Sequence, residues 1–226
     1  MPTAAILPVK RFAHAKQRLA PALGEGSRRA LAAAMFADVL GALRHCSLIE
    51  TVILVSSEPM VRDAVDDDSI LLLPDPAEKG QSHATLAGLA RASALGYDRA
   101  LLVPGDTPLI DALELDNLIA NAALGDVDVI IVPDRHGAGT NAVLLDPASP
   151  FQPQFGPGSR ERHEDQARRR GLTRSVVKTP SLLLDIDTPE DLAELRKAFE
   201  QQHGRAPRTH GVIVQIERSR ASAISA

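Results

Sequence analysis

The feature that most constrains this chain is a regular alternation of short, almost wholly apolar runs with longer stretches whose apolar residues fall at helical spacing. "AAILPV" (4–9), "TVILVSS" (51–57), "ILLLP" (70–74), "ALLVPGD" (100–106), "DVIIVPD" (128–134) and "NAVLLD" (141–146) are too short for helices. They are also too uniformly apolar for strands with one wet face. Strands buried on both faces belong to parallel sheets, whose crossover connections lay helices over each side. The intervening stretches supply those helices: 27–46, beginning on Ser27 as N-cap, a short one near 59–65, 82–96 stopping at Gly96, and about 111–123. A helix near 159–170, a strand near 174–178, "LLLDID" (182–187) read as a further strand, and a helix over 189–202 complete the series. The fold class is α/β, a mostly parallel sheet with helices on both faces in a single domain. No segment repeats at a fixed period.

A length of 226 residues suits one such domain. The domain is expected over 1–203, with a C-terminal extension over 204–226. Within the extension "VIVQIE" (212–217) is β-branched and short, follows Pro207 and Gly211, and reads as a strand able to pair with a sheet edge. That edge belongs either to its own sheet or to a second copy, so a homodimer stays open. The closing "RSRASAISA" is small and polar and reads as disordered in isolation.

Composition removes whole classes of function. Aromatic residues make up 3% with no Trp, and the net charge is −4, so the basic excess and stacking surface of a nucleic-acid binder are both missing. The same charge argues against a membrane surface, and no apolar run reaches the roughly 18 residues a bilayer requires. The N-terminus enters a strand pattern directly, and the protein reads as cytoplasmic. The single Cys46 sits within a helical pattern and reads as a packing residue.

In open α/β sheets ligands gather at the carboxyl ends of the strands. Each unusual polar cluster here follows a strand pattern. The loop "PVKRFAHAKQRLAPALGEGSRR" (8–29) is long and basic and lacks the glycine spacing of a dinucleotide fingerprint or a P-loop, so Lys10, Lys16 and Arg18 are the groups that would hold phosphate. "PDPAEKGQSHAT" (74–85) brings Gly80 and Ser82 to a helix start, where backbone donors suit a base edge or a phosphate. Asp106, in "LLVPGDTPLI", is a carboxylate closing an apolar run, which needs a cationic partner or a turn to cap. In "LLLDIDTPEDL" (182–192), Asp185 and Asp187 stand two apart and, on a strand, would share a face. Two such carboxylates repel unless a divalent cation or a proton joins them. Asp187 could instead simply cap the helix starting at Thr188-Pro189. "GAGTN" (137–141) and "FGPGS" (155–159) are glycine-bearing loops; the second sets Gly156, Gly158 and Ser159 at a helix N-terminus beside Arg160 and Arg162, suited to a small anion. His83, His136 and His163 fall at no metal-binding spacing and read as structural or solvent-facing.

Taken together, "PVKRFAHAKQRLAPAL", "LLVPGDTPLI", "GAGTNAVLL", "FGPGSRERH" and "LDIDTPEDL" resemble the guanylyltransferases of deazaflavin coenzyme (F-420) biosynthesis, over about residues 4 to 200 and in the same order. The resemblance implies a nucleotide-diphospho-sugar-transferase-like fold. It implies GTP and Mg²⁺ as reagents, and transfer of GMP to a small phosphorylated carboxylic acid: phosphoenolpyruvate, 2-phospho-L-lactate or 3-phospho-D-glycerate. By the same resemblance Thr140, Gly156 and Ser159 bind the acid, and Pro8, Lys10, Lys16, Arg18, Gly80 and Ser82 the nucleotide. Asp106, with Asp185 or Asp187, would hold the metal, and Lys10, Lys16 and Asp106 would carry catalysis. The product would pass to a downstream transferase of the same pathway. The tail from 204 runs past the point where this likeness is expected to end. Two other enzymatic readings are weaker. "DIDTP" has the form of a dehalogenase-type phosphatase motif but lies at the wrong end of the chain, and a molybdenum-cofactor nucleotidyltransferase would need a glycine-rich first loop. A non-catalytic nucleotide-binding regulatory domain sits poorly with the charged residues that remain.

Overall fold

The computed structural model describes residues 1–65, 68–75, 78–201 and 204–224. Strands β1 (Thr3–Val9), β2 (Thr51–Ser56), β3 (Ile70–Leu73), β4 (Arg99–Leu102), β5 (Val129–Pro133), β6 (Thr140–Leu145) and β7 (Arg174–Val176) form one sheet in the order β3-β2-β1-β4-β6-β5-β7. Only β6 runs antiparallel to its neighbours β4 and β5; the other pairings are parallel. The helices are α1 (Glu25–His45), α2 (Pro59–Arg62), α3 (Gln81–Ala94), α4 (Ala112–Leu124), α5 (Ser159–Arg169), α6 (Pro189–Gln201) and α7 (Pro207–Ile224).

Alternation along the strands sends side chains to two cores. Ala5, Leu7 and Val9 of β1 pack with Phe36, Val39 and Leu43 of α1 and Leu115 and Leu118 of α4. Ala4 and Ile6 face the other way, onto Ala84, Leu89 and Ala92 of α3 and Ala167 of α5. Helix α3 lies unusually close to β1: a Cβ at Gly88 would collide with the Ile6 side chain, so only glycine fits there. Among the described residues no helix is long and apolar enough to cross a membrane.

Four expectations need correction. Helix α1 begins two residues before Ser27, with Gly24 as its cap, so Ser27 lies in the first turn. Strand β4 ends at Leu102, leaving Asp106 in the turn beyond it. "LLLDID" is not a strand. A 3-10 turn spans Pro180–Leu182, and the rest is irregular. Its polar backbone is satisfied without a ladder: Asn141 Nδ2 donates to the carbonyls of Leu182 (2.8 Å) and Leu183 (3.2 Å), and the Ile186 N–H donates to the Asp106 carbonyl at 3.0 Å. Its apolar residues also enter different clusters, Leu182 under α1 and α4, Ile186 with α6. Finally, "VIVQIE" lies within helix α7.

That last reversal has a clear cause. Val212, Ile213 and Ile216 fall at helical spacing and join Leu31, Met35, Leu195 and Phe199 in a third cluster shared by α1, α6 and α7. Tertiary burial thereby overrides a β-branched propensity. The start of α7 is fixed by Pro207 at its first position and by Asp38 of α1, whose carboxylate accepts the N–H groups of Arg208 (3.2 Å) and Thr209 (2.8 Å). Ile213 is 3% exposed. Ile213→Ala should therefore cost about 2–4 kcal/mol of unfolding free energy. A urea titration that leaves the midpoint unchanged would show that α7 contributes nothing to the core.

Candidate active site

A cavity of about 470 Å³ opens at the carboxyl ends of the central strands. Its floor comes from Pro8 and Val9 of β1, its walls from the following loop through Lys16, Gly80, Gln81 and Ala84 of α3, and the turn Pro104–Asp106, with Asp187 at one end. The loop after β1 is long and charged, yet it is held down. Phe12 is buried, its ring 5.9 Å from that of Phe36, and its N–H donates to Glu58 Oε2 at 2.8 Å. Glu58 is itself buried and caps α2 through the Met60 N–H. Ser56 Oγ donates to the Val9 carbonyl at 2.7 Å and accepts the Glu58 N–H, completing the anchor. Lys10 stays exposed on the cavity rim.

At the deep end stands Lys16. Its side chain is only 7% exposed, and Nζ donates to Asp106 Oδ2 at 2.6 Å and to Asp187 Oδ1 at 2.8 Å. Burial alone would lower the ammonium's pKa, but the two carboxylates outweigh it and hold the pKa above the ordinary lysine value. The Lys16 backbone takes the left-handed conformation, φ 56° and ψ 39°, which is unfavourable for a residue with a Cβ. Arg18 is mostly exposed and reaches Asp187 only at 3.9 Å.

A third carboxylate adjoins this group. Asp185 is held by Asn141 Nδ2 at 3.2 Å, and burial, followed by the charge of Asp106, raises its pKa above the usual carboxylate range. The cluster thus has more negative than positive charge at close quarters. Among the described residues no three His, Cys, Asp or Glu side chains form a ready-made metal cage. Mg²⁺, however, takes one or two carboxylates with substrate phosphate oxygens and water, and Asp106 and Asp187 already share one cationic group between them. This donor set fits a Mg²⁺ ion held jointly with a phosphorylated substrate.

Thr140 opens β6 next to Asn141 and is not part of the cavity lining. Its Oγ1 lies 3.0 Å from His163 Nδ1, while His163 Nε2 accepts the Gln154 N–H at 2.8 Å. A neutral ring that accepts at Nε2 carries its proton on Nδ1, so Nδ1 donates to Thr140. Burial, reinforced by Arg162, lowers the His163 pKa to about 4, which keeps the ring neutral. Gly156 (φ 108°) and Gly158 (φ 68°) turn the chain into α5, and the buried hydroxyl of Ser159 has no hydrogen-bond partner among the described residues. An orphaned buried hydroxyl beside a helix N-terminus is the kind of group a ligand satisfies.

The structure therefore brings Pro8, Lys10, Lys16, Gly80, Asp106 and Asp187 to one cavity. Thr140, Gly156 and Ser159 form a separate shelf, and Ser82 joins the two: its Oγ accepts the Phe155 N–H at 3.1 Å rather than facing the cavity. The strand argument for Asp185 and Asp187 fails, yet both still flank Asp106 because the Ile186 N–H is tied to the Asp106 carbonyl. Part of the 74–85 loop, residues 76–77, lies outside the described residues. Cys46 is buried and donates to Asp116 (3.2 Å) and the Ala112 carbonyl (3.3 Å); burial and Asp116 push its thiol pKa far up, as befits a packing residue. Sequence reading missed Glu58, whose position just before Pro59 was the available signal, and the pair of Arg135 and Asp191, 2.6 Å apart, which had none.

The family model described as guanylyl transferase CofC like matches residues 3–224. This chain belongs to that family. The match runs through the C-terminal helix, so the tail does not lie beyond the family pattern as expected. The phosphoenolpyruvate guanylyltransferase of Conexibacter woesei is 43% identical over 219 residues, covering 97% of this chain and 98% of that protein. The 2-phospho-L-lactate guanylyltransferase of Methanothermobacter thermautotrophicus is 36% identical over 206 residues, covering 91% and 89%. Among solved structures, one from Desulfovibrio desulfuricans G20, assigned provisionally to the nucleotide-diphospho-sugar transferases, superposes with a TM-score of 0.74 at 16% identity, covering 96% of each chain. At that identity the likeness speaks for the fold alone.

His163 links this CofC-like site to stability. Its folded pKa of about 4 lies below the free value of 6.5, so the fold favours the neutral ring. The corresponding stability is complete above pH 6.5 and is lost as pH falls from there towards 4. Over that window His163 should account for about 3 kcal/mol of the loss. Chemical denaturation of wild type and His163→Gln at a series of pH values checks this; parallel curves would refute it.

Proposed function

We propose that this protein transfers GMP from GTP to the phosphate of a small phosphorylated carboxylic acid, releasing pyrophosphate, in coenzyme F-420 biosynthesis. The observation that carries the reading is the buried Lys16 ammonium shared by Asp106 and Asp187 at the deep end of a nucleotide-sized cavity. Family membership supports the reaction class, and the strong likeness to the Conexibacter protein favours phosphoenolpyruvate as acceptor over 2-phospho-L-lactate and 3-phospho-D-glycerate. The phosphatase reading loses support because "DIDTP" follows a 3-10 turn and no strand. The reading includes a cytoplasmic reaction whose product passes to a downstream transferase.

An oxygen of the acceptor phosphate attacks the α-phosphorus of GTP in line, and the bond to the departing pyrophosphate breaks. A phosphate monoester is already anionic at neutral pH, so the chain need not supply a strong base. What it supplies is position and charge. Lys10, at the rim, and the exposed Arg18 near Asp187 would neutralise the outer phosphates, and Gly80 would present its backbone to the nucleotide. Lys16 would balance the carboxylates and face the reacting phosphate. The Ser159 hydroxyl and Thr140 would hold the acid, with His163 fixing the Thr140 side chain so that its hydroxyl proton points away from the ring. Mg²⁺, held by Asp106 and Asp187 with Asp185 nearby, would offset charge on the phosphates when bound.

Pyrophosphate release from GTP, tested with each of the three acids, examines the proposal directly; no release with any of them would end it. Asp106→Asn should lower turnover at least a hundredfold while the protein stays folded, because Asp187 still partners Lys16. Near-normal turnover at ordinary Mg²⁺ would remove Asp106 from the site. Ser159→Ala should raise KM for the acid about tenfold and leave KM for GTP within twofold. An effect confined to GTP would reassign Ser159 to the nucleotide.

A further inference from the structure

Asp187 reaches Lys16 from an irregular segment, so something other than a sheet must hold it in place. Two backbone ties do so. The Ile186 N–H donates to the Asp106 carbonyl at 3.0 Å, and the Asp187 N–H donates to Asp191 Oδ2 at 3.1 Å. The same Asp191 oxygen also accepts from the N–H and the hydroxyl of Thr188, both at 2.8 Å. A helix-capping box would use only the Thr188 contacts; the tie to Asp187 is additional. Asp191 is 7% exposed, and its other oxygen, Oδ1, is clamped by Arg135 Nη2 at 2.6 Å. Arg135 belongs to the β5–β6 loop, 56 residues away in sequence, the same loop that ends in Thr140. If Arg135 served only to cap α6 it would not need to come from there, since Thr188 already caps Asp191's own N–H.

We infer that Arg135, acting through Asp191, is a positioning residue that aims the Asp187 carboxylate at the cation site shared with Asp106. With the guanidinium in place, Asp191 is held from both sides: Arg135 fixes Oδ1 at 2.6 Å, which leaves Oδ2 turned to the Thr188 and Asp187 N–H groups. Without it, a buried carboxylate loses its counter-ion, and the Asp187 N–H loses a fixed acceptor. Groups one step removed from a metal commonly change its affinity 10–100-fold when replaced. The inference rests on the proposal that Asp106 and Asp187 hold a divalent cation.

The test is binding of Mn²⁺, as a paramagnetic stand-in for Mg²⁺, to the protein with saturating GTP and no acid, so that phosphate oxygens are present and no turnover occurs, followed by water-proton relaxation against GTP alone. Arg135→Gln should weaken Mn²⁺ binding about tenfold and Arg135→Lys less. In turnover assays Arg135→Gln should lower kcat at limiting Mg²⁺, regain most of it at high Mg²⁺, and leave KM for GTP within about twofold. Asp191→Asn should resemble Arg135→Gln, and the double variant should be no worse than the poorer single one, as for residues acting in series. If Asp191→Asn fails to fold, the Gln and Lys variants at 135 decide alone. Mn²⁺ affinity equal to wild type in a folded Arg135→Gln protein, whatever its melting temperature, would overturn the inference and leave Arg135 a structural residue. Wild type that binds no Mn²⁺ would instead overturn the metal reading on which it rests.

Discussion

Everything at the working end of this molecule depends on one buried ammonium. Lys16 takes its charge out of water to a place where burial alone would lower its pKa, and Asp106 and Asp187, meeting it at 2.6 and 2.8 Å, more than offset that. These three residues come from the first loop, the turn after β4 and the segment before α6, so one interaction ties together parts of the chain up to 171 residues apart. Burying a charge is tolerable only when its partners are fixed. The surrounding structure supplies that: Glu58 anchors the loop before Lys16, the Asp106 carbonyl holds Ile186, and Asp191 holds the Asp187 backbone. The left-handed backbone at Lys16 is part of the same arrangement.

Much of this was legible in the sequence, and the limits were physical. The strands of the sheet could be read because burial on both faces leaves uninterrupted apolar runs, and β-branched residues fill them. The cationic loop was visible because it lacks phosphate-binding glycines yet carries Lys10, Lys16 and Arg18 after the first strand. "LLLDID" misled because its leucines and isoleucine serve different clusters, which no local period can reveal. "VIVQIE" misled because its fold is decided by α1, nearly two hundred residues earlier, and not by its own propensity. The Arg135–Asp191 contact left no mark at all, since neither residue stands in a motif that demands the other.

The two loops proposed to receive the acid illustrate how a site can be divided and still act as a unit. Thr140 and Ser159 lie outside the cavity that takes the nucleotide-proposed residues, but each is one hydrogen bond from a link to it. Asn141, beside Thr140, holds Asp185, and the Phe155 N–H, beside the Gly156 turn, is held by Ser82 on α3. Helix α3, packed tightly on β1 at Gly88, thus stands between the two halves.

The C-terminal helix has a consequence for how the protein comes off the ribosome. Leu31 and Met35 of α1 are wholly buried, and part of what covers them is α7, which is made long after α1. Until α7 emerges, the apolar stripe of α1 has only α6 and the first loop to cover it. A chain that stops short of α7 therefore carries exposed apolar surface of the kind that chaperones and proteases recognise. The first turns of α7, through Val212, Ile213 and Ile216, thus decide whether that surface is closed before any substrate is met.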